Sequence, residues 1–100
     1  MNILICGSKT WNNKESIENI LGEIPYPELQ TVYHKLEPGL SLLGKIVAEQ
    51  LGMKTEVWNG DLEEINYVFA FHPFIRNSVA TSTIIGTAKA RGIQYRIVNK

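Results

Sequence analysis

Two runs in this sequence have no polar face. Ile3-Leu4-Ile5-Cys6 follows Asn2, and Tyr67-Val68-Phe69-Ala70-Phe71 follows Asn66. Side chains of a strand alternate between the two faces of its sheet, so a strand that is apolar at every position must be covered on both sides. An antiparallel sheet with one wet face would show alternation instead. These runs therefore predict a parallel sheet sandwiched between helices. With 100 residues, 44% of them hydrophobic, the sequence has room for one such domain with a modest stability margin.

The segments between the runs supply the helices and the remaining strands. Asn12 stands three residues before Glu15, a capping-box spacing that predicts a helix to about Leu21, with Ile17, Ile20 and Leu21 on one face and Gly22 as its stop. Pro25 and Pro27 mark an irregular connection, and Thr31 to His34 is a short second strand rich in β-formers. Pro38 and Gly39 precede a second helix, Leu40 to Leu51, closed by Gly52. Lys54 to Trp58 alternates as a third strand, and Asn59-Gly60-Asp61 turns into a short link before the fourth strand at Tyr67. Ser82 to Arg91, closed by Gly92, predicts the third helix, and Ile93 to Val98 the last strand. Strands separated by helices of this length require right-handed crossovers. The expected fold is a single α/β domain, a minimal Rossmann-like, doubly wound parallel sheet of about five strands with three helices. Its ligand belongs at the carboxyl ends of the strands, beside the point where the strand order reverses.

Charge narrows the function. Ten Lys plus Arg balance ten Asp plus Glu, giving a formal net charge of +0, so no overall basic field favours generic nucleic acid binding or an anionic membrane. No apolar run approaches the roughly 20 residues of a membrane helix, and no leader pattern precedes the first strand; a cytoplasmic protein is expected. Cys6 is alone, and His34 and His72 are unhelpfully spaced, so no disulfide, metal or other cofactor is expected. Cys6, at a buried strand end, reads as packing rather than as a nucleophile.

The loops at the ligand edge carry the candidate site. Gly7-Ser8-Lys9 follows the first strand, where a glycine lets backbone amides approach a phosphate and the next two residues add a hydroxyl and a positive charge. It is neither the Walker pattern nor GxGxxG, so ordinary ATP or NAD binding is unsupported. After the fourth strand, Arg76, Asn77, Ser78, Thr81 and Ser82 surround the start of a helix, a ready place for an anion. The plain alternatives are a glycine needed only for the turn and an ordinary helix cap beside a solvated arginine. His34 ends the second strand and His72 the fourth; each is a candidate acid, base or ligand contact, or else a hydrogen-bonded structural histidine. Trp11 could stack on a base, as could Trp58 and Phe74 with less support, with core packing as the alternative. No close carboxylate pair is apparent, so two-acid glycosidic hydrolysis lacks its partners.

Ile3-Leu4-Ile5-Cys6-Gly7-Ser8-Lys9-Thr10-Trp11 resembles the opening of the YspA-like branch of the SLOG superfamily, where a strand is followed by Gly-Ser-Arg and an aromatic residue; here lysine replaces the arginine. In that family the second strand leads into a His-Gly-Gly-Ala-x-Gly-Ala-Asp loop. His34 and Gly39 hold their places in it, while Lys35 and Leu36 stand for glycines and Ser41 for the aspartate. Thr81, Ala88, Gly92 and Ile93 reproduce the spacing of the family's last segment. The resemblance implies a nucleotide or nucleotide-derived ligand, with phosphate toward Gly7-Ser8-Lys9 and Ser78-Thr81-Ser82 and the base near Trp11. Related enzymes of the LOG type cleave the N-glycosidic bond of nucleoside monophosphates, but the position of their glutamate is Ile84 here, and turn glycines have become Asn77, Ser78 and Ala80. Sensing or sequestering is therefore expected ahead of turnover. Two alternatives stand beside it: a nucleoside-phosphate hydrolase or deoxyribosyltransferase-like enzyme using Glu37 or Asp61, and a non-catalytic protein interaction module of phage or defence origin. A homo-oligomer that completes the site between subunits is left open.

Overall fold

The two apolar runs pair with each other at the centre of a sheet, in parallel register from Ile3 opposite Tyr67 to Gly7 opposite Phe71. In the computed structural model, which describes residues 1–100, the first run lies in β1 (Asn2–Gly7) and the second is β4 (Tyr67–Phe71). On one side of this pair lie β2 (Thr31–His34) and β3 (Lys54–Val57), and on the other β5 (Gln94–Val98). All neighbours are parallel, in the order β3-β2-β1-β4-β5. The chain winds outward from β1 to β3, returns to β4 and winds the other way. The fold is thus the α/β, Rossmann-like arrangement expected, with five parallel strands and three helices.

Alternation along the central strands builds two cores. Ile3, Ile5, Phe69 and Phe71 face α1 (Lys14–Gly22) and α2 (Leu40–Gln50), meeting Ile17, Ile20, Leu21, Val47 and Ala48. Leu4, Cys6, Val68 and Ala70 face the opposite side, where α3 (Val79–Ala90) brings Ile84, Ile85 and Ala88. The link from β3 to β4 has no helix, and it covers this second face with Leu62 and Ile65, both almost fully buried. Each large aliphatic side chain buried in this way stabilises the fold by about 1.5–3 kcal/mol. No helix is long and apolar enough to cross a membrane.

Several element ends differ from expectation. Asn13, not Asn12, caps α1: its Oδ1 accepts the Ser16 N–H at 3.2 Å, and Glu15 lies in the first turn, complementing the helix dipole. Helix α1 includes Gly22, α2 stops at Gln50 rather than Leu51, and β3 stops at Val57, with Trp58 just beyond it. Helix α3 begins three residues earlier than predicted. Ser78 caps it, its Oγ accepting the Thr81 N–H at 3.1 Å. The hydroxyls of Thr83 and Thr87 donate back to the carbonyls of Val79 and Thr83, so both lie inside the helix.

Candidate functional site

In a doubly wound sheet the loops after β1 and β4 diverge to opposite faces and leave a crevice between the two strand ends. Two glycines let the surrounding backbone close on that crevice. At Gly7 an added Cβ would sit 2.0 Å from the Phe71 carbonyl oxygen, and the Ser8 N–H donates to that same oxygen at 2.9 Å. Gly39, with φ of +78°, precedes α2, and an added Cβ there would lie 2.0 Å from the Lys9 carbonyl oxygen. The next amide, Leu40 N–H, donates to Ser8 O at 3.3 Å. The loop after β2 is thereby drawn against the loop after β1.

The resulting cleft has a volume of about 310 Å3. Gly7, Ser8 and Lys9 form one wall, and Asn77, Ser78, Ala80 and Thr81 another, so six of the residues named from the sequence converge there. Ser78 organises its wall: its Oγ donates to Thr81 Oγ1 at 3.0 Å while accepting the Thr81 N–H. Thr81 is only 2% exposed and serves mainly to hold that geometry. The amides of Val79 and Ala80 open α3 without intrahelical partners, as first-turn amides must. The cleft also takes in Lys35, Glu37 and His72. Lys9, Lys35 and Glu37 are in no ion pair; the chain's one salt bridge, Arg91 to Asp61 at 3.7 Å, lies elsewhere. The lining thus carries two lysines and one glutamate, none of them ion-paired.

Five residues of the expected site are placed otherwise. Trp11 is 7% exposed in the α1/α2 core, its ring edge-on to Phe71 at 5.7 Å and its Nε1–H donating to Asn13 O, so it has no face for a base. His34 is 4% exposed; its Nδ1–H donates to Lys35 O at 3.1 Å, and it lines an adjoining groove rather than the cleft. Gly39 acts by admitting the backbone of Lys9. Arg76, in the short turn Ile75–Asn77, borders a separate hollow beside Phe74. Ser82 ties that turn to α3, its hydroxyl donating to Ile75 O at 2.7 Å. The structure does not bring these five residues into the lining of the cleft.

The adjoining groove, of about 340 Å3, shares Lys35 and Glu37 with the cleft and adds Leu36, Pro38, Leu42 and Lys45. Lys35 was not singled out as a ligand contact and Glu37 only as a carboxylate for the alternative enzyme; the available signal was that both lie in the loop that follows β2. Lys35 also holds its Nζ 6.0 Å from the centroid of the Trp58 ring, within reach of a weak cation–π attraction. Cys6 takes no part. Its Sγ–H donates to Phe69 O at 3.8 Å, and burial pushes the thiol up to about 12, with the charge of Lys35 acting weakly in the other direction. A thiol held protonated in this way is not a nucleophile near neutral pH. No protein-family model, curated protein or solved structure matches the chain.

Proposed function

We propose that the cleft between β1 and β4 binds the phosphate of a small nucleotide or nucleotide-derived ligand, as a SLOG-type sensing or sequestering module would. One observation carries this reading: Lys9 and Lys35 reach the same cleft from different loops, neither neutralised by an ion pair, beside the Ser78 cap and the open first turn of α3. Two ammonium donors and unpaired amides favour an oxyanion through charge-assisted hydrogen bonds. The rest of the ligand lies in the adjoining groove, where Leu36, Pro38 and Leu42 offer an apolar shelf in place of the stacking site once expected at Trp11.

Lys9→Ala and Lys35→Ala should each weaken binding by about 1–3 kcal/mol, read by titration against the ligand that a thermal-shift screen of mononucleotides, dinucleotides and cyclic nucleotides selects. Unchanged affinity in both variants would sink the site. The groove makes a separate expectation. Leu42 is 54% exposed, so Leu42→Glu leaves the fold intact; it should weaken a nucleotide about tenfold by placing a charge against its base, while binding of inorganic phosphate stays as it was. Equal loss for both ligands would move the base elsewhere.

Glu37 favours a second reading. It is the one carboxylate lining the cleft, whereas Asp61 is committed to Arg91 and to the Glu63 N–H. A nucleoside-phosphate hydrolase or transferase would use Glu37 as its acid, base or nucleophile. Chromatography of the screened mixtures separates the two readings: product formed by the natural chain and lost in Glu37→Gln would establish turnover, and intact ligand would establish binding alone.

A further inference from the structure

His72 directly follows β4, and its backbone N–H donates to Val98 O at 2.9 Å, continuing the ladder to β5. Its side chain is held by its own turn. Pro73 has no N–H to offer, so the first free amide after the histidine is that of Phe74, which donates to His72 Nδ1 at 3.0 Å. An amide can only donate. Nδ1 must therefore present its lone pair, and in the neutral imidazole the proton sits on Nε2. No group of the chain bonds to Nε2, and the ring lines the cleft beside Lys9, Lys35 and Ser78. His34, at the equivalent end of β2, shows the opposite arrangement. Its Nδ1 meets the carbonyl of Lys35, which can only accept, so there the proton sits on Nδ1, and the residue is buried.

The geometry points to His72 as a binding residue of the cleft: a neutral Nε2–H donor, fixed in that tautomer by the Phe74 amide, that hydrogen-bonds an oxygen of the bound phosphate. This rests on the cleft being a phosphate site. It adds a directional, uncharged donor to the two lysines of the lining, and such a donor discriminates by the position of an oxygen rather than by ligand charge.

The test pairs nitrogen-15 NMR of the imidazole with two variants, using inorganic phosphate as the probe at about pH 8, above the ordinary histidine range. The free protein should show His72 as the Nε2–H tautomer, and phosphate should shift that resonance. His72→Asn keeps an oxygen for the Phe74 N–H but removes the Nε2 donor, so its thermal midpoint should match the natural chain while phosphate affinity falls about tenfold. His72→Gln carries an amide N–H out to the Nε2 position and should recover most of that loss. An Nδ1–H tautomer overturns the inference. So does undiminished phosphate binding by His72→Asn when Lys9→Ala binds weakly, a result that leaves the cleft reading intact. If phosphate moves no amide resonance of Ser8, Lys9 or Ser78 in the natural chain, the cleft reading and the inference fall together.

Discussion

Gly39→Ala should remove about 3–5 kcal/mol of stability, measured as a fall in the urea midpoint with an unchanged slope. Two costs combine. Alanine is strained at a φ of +78°, a penalty of about 1–3 kcal/mol, and its methyl would stand 2.0 Å from the Lys9 carbonyl oxygen, an overpacking cost of about the same size. Backbone meets backbone here, so no side chain can swing aside. For a domain whose whole margin is about 5–15 kcal/mol, that is a large share of its stability. The result also separates two roles for this glycine. A variant within about 1 kcal/mol of the natural chain that fails to bind ligand would mean that Gly39 serves the ligand and not the approach of the two loops.

The second large effect concerns Cys6 at alkaline pH. Its thiol has an ordinary value of 9.0 and is pushed up to about 12 in the folded protein, chiefly by burial. Below pH 9 both folded and unfolded chains hold the proton, and the contribution to stability is complete. Above pH 9 the unfolded chain releases it while the folded chain keeps it, so folding loses about 1.4 kcal/mol per pH unit up to the folded value, about 4 kcal/mol across the window. Cys6→Ala has no thiol to titrate. Its stability should therefore differ from that of the natural chain by a constant below pH 9 and should gain on it steadily from pH 9 to 11, as the lysines and tyrosines common to both cancel. A difference that stays flat through pH 11 would show that the folded thiol ionises freely. In the same frame, Cys6 should resist alkylation near neutral pH until the protein is unfolded.

The layers of the fold were legible because they depend on local period. Ile3 to Cys6 and Tyr67 to Phe71 are apolar at every position, and Ile17, Ile20 and Leu21 recur at helical spacing; these patterns alone require covered parallel strands with helices between them. Element ends were less legible because neighbouring residues compete for one role. Asn12 and Asn13 are equally good caps, as are Ser78 and Ser82, and the choice was made by which side chain reaches a free amide: Asn13 to Ser16 and Ser78 to Thr81. The link from Asn59 to Asn66 reads as a bare connection in sequence, yet Leu62 and Ile65 complete a core, a role created only by the length of the return from β3 to β4.

The candidate site divides along the same line. Sequence determined that Gly7-Ser8-Lys9 and Asn77-Ser78-Thr81 sit at strand ends and a helix start on one edge of the sheet, because strand direction and loop position follow from the order of elements. Only the tertiary structure decided which residues of that edge face one another. Trp11 packs into the core because α1 covers the Phe71 side of β4. His34 is buried with its Nδ1–H donating to the carbonyl of Lys35, and it lines the adjoining groove instead. Lys35 and Glu37 enter the cleft because a glycine at position 39 lets their loop lie against Lys9. Direction along the chain is a local property that a sequence pattern encodes, whereas convergence across the edge depends on contacts between loops distant in sequence, which no local pattern specifies.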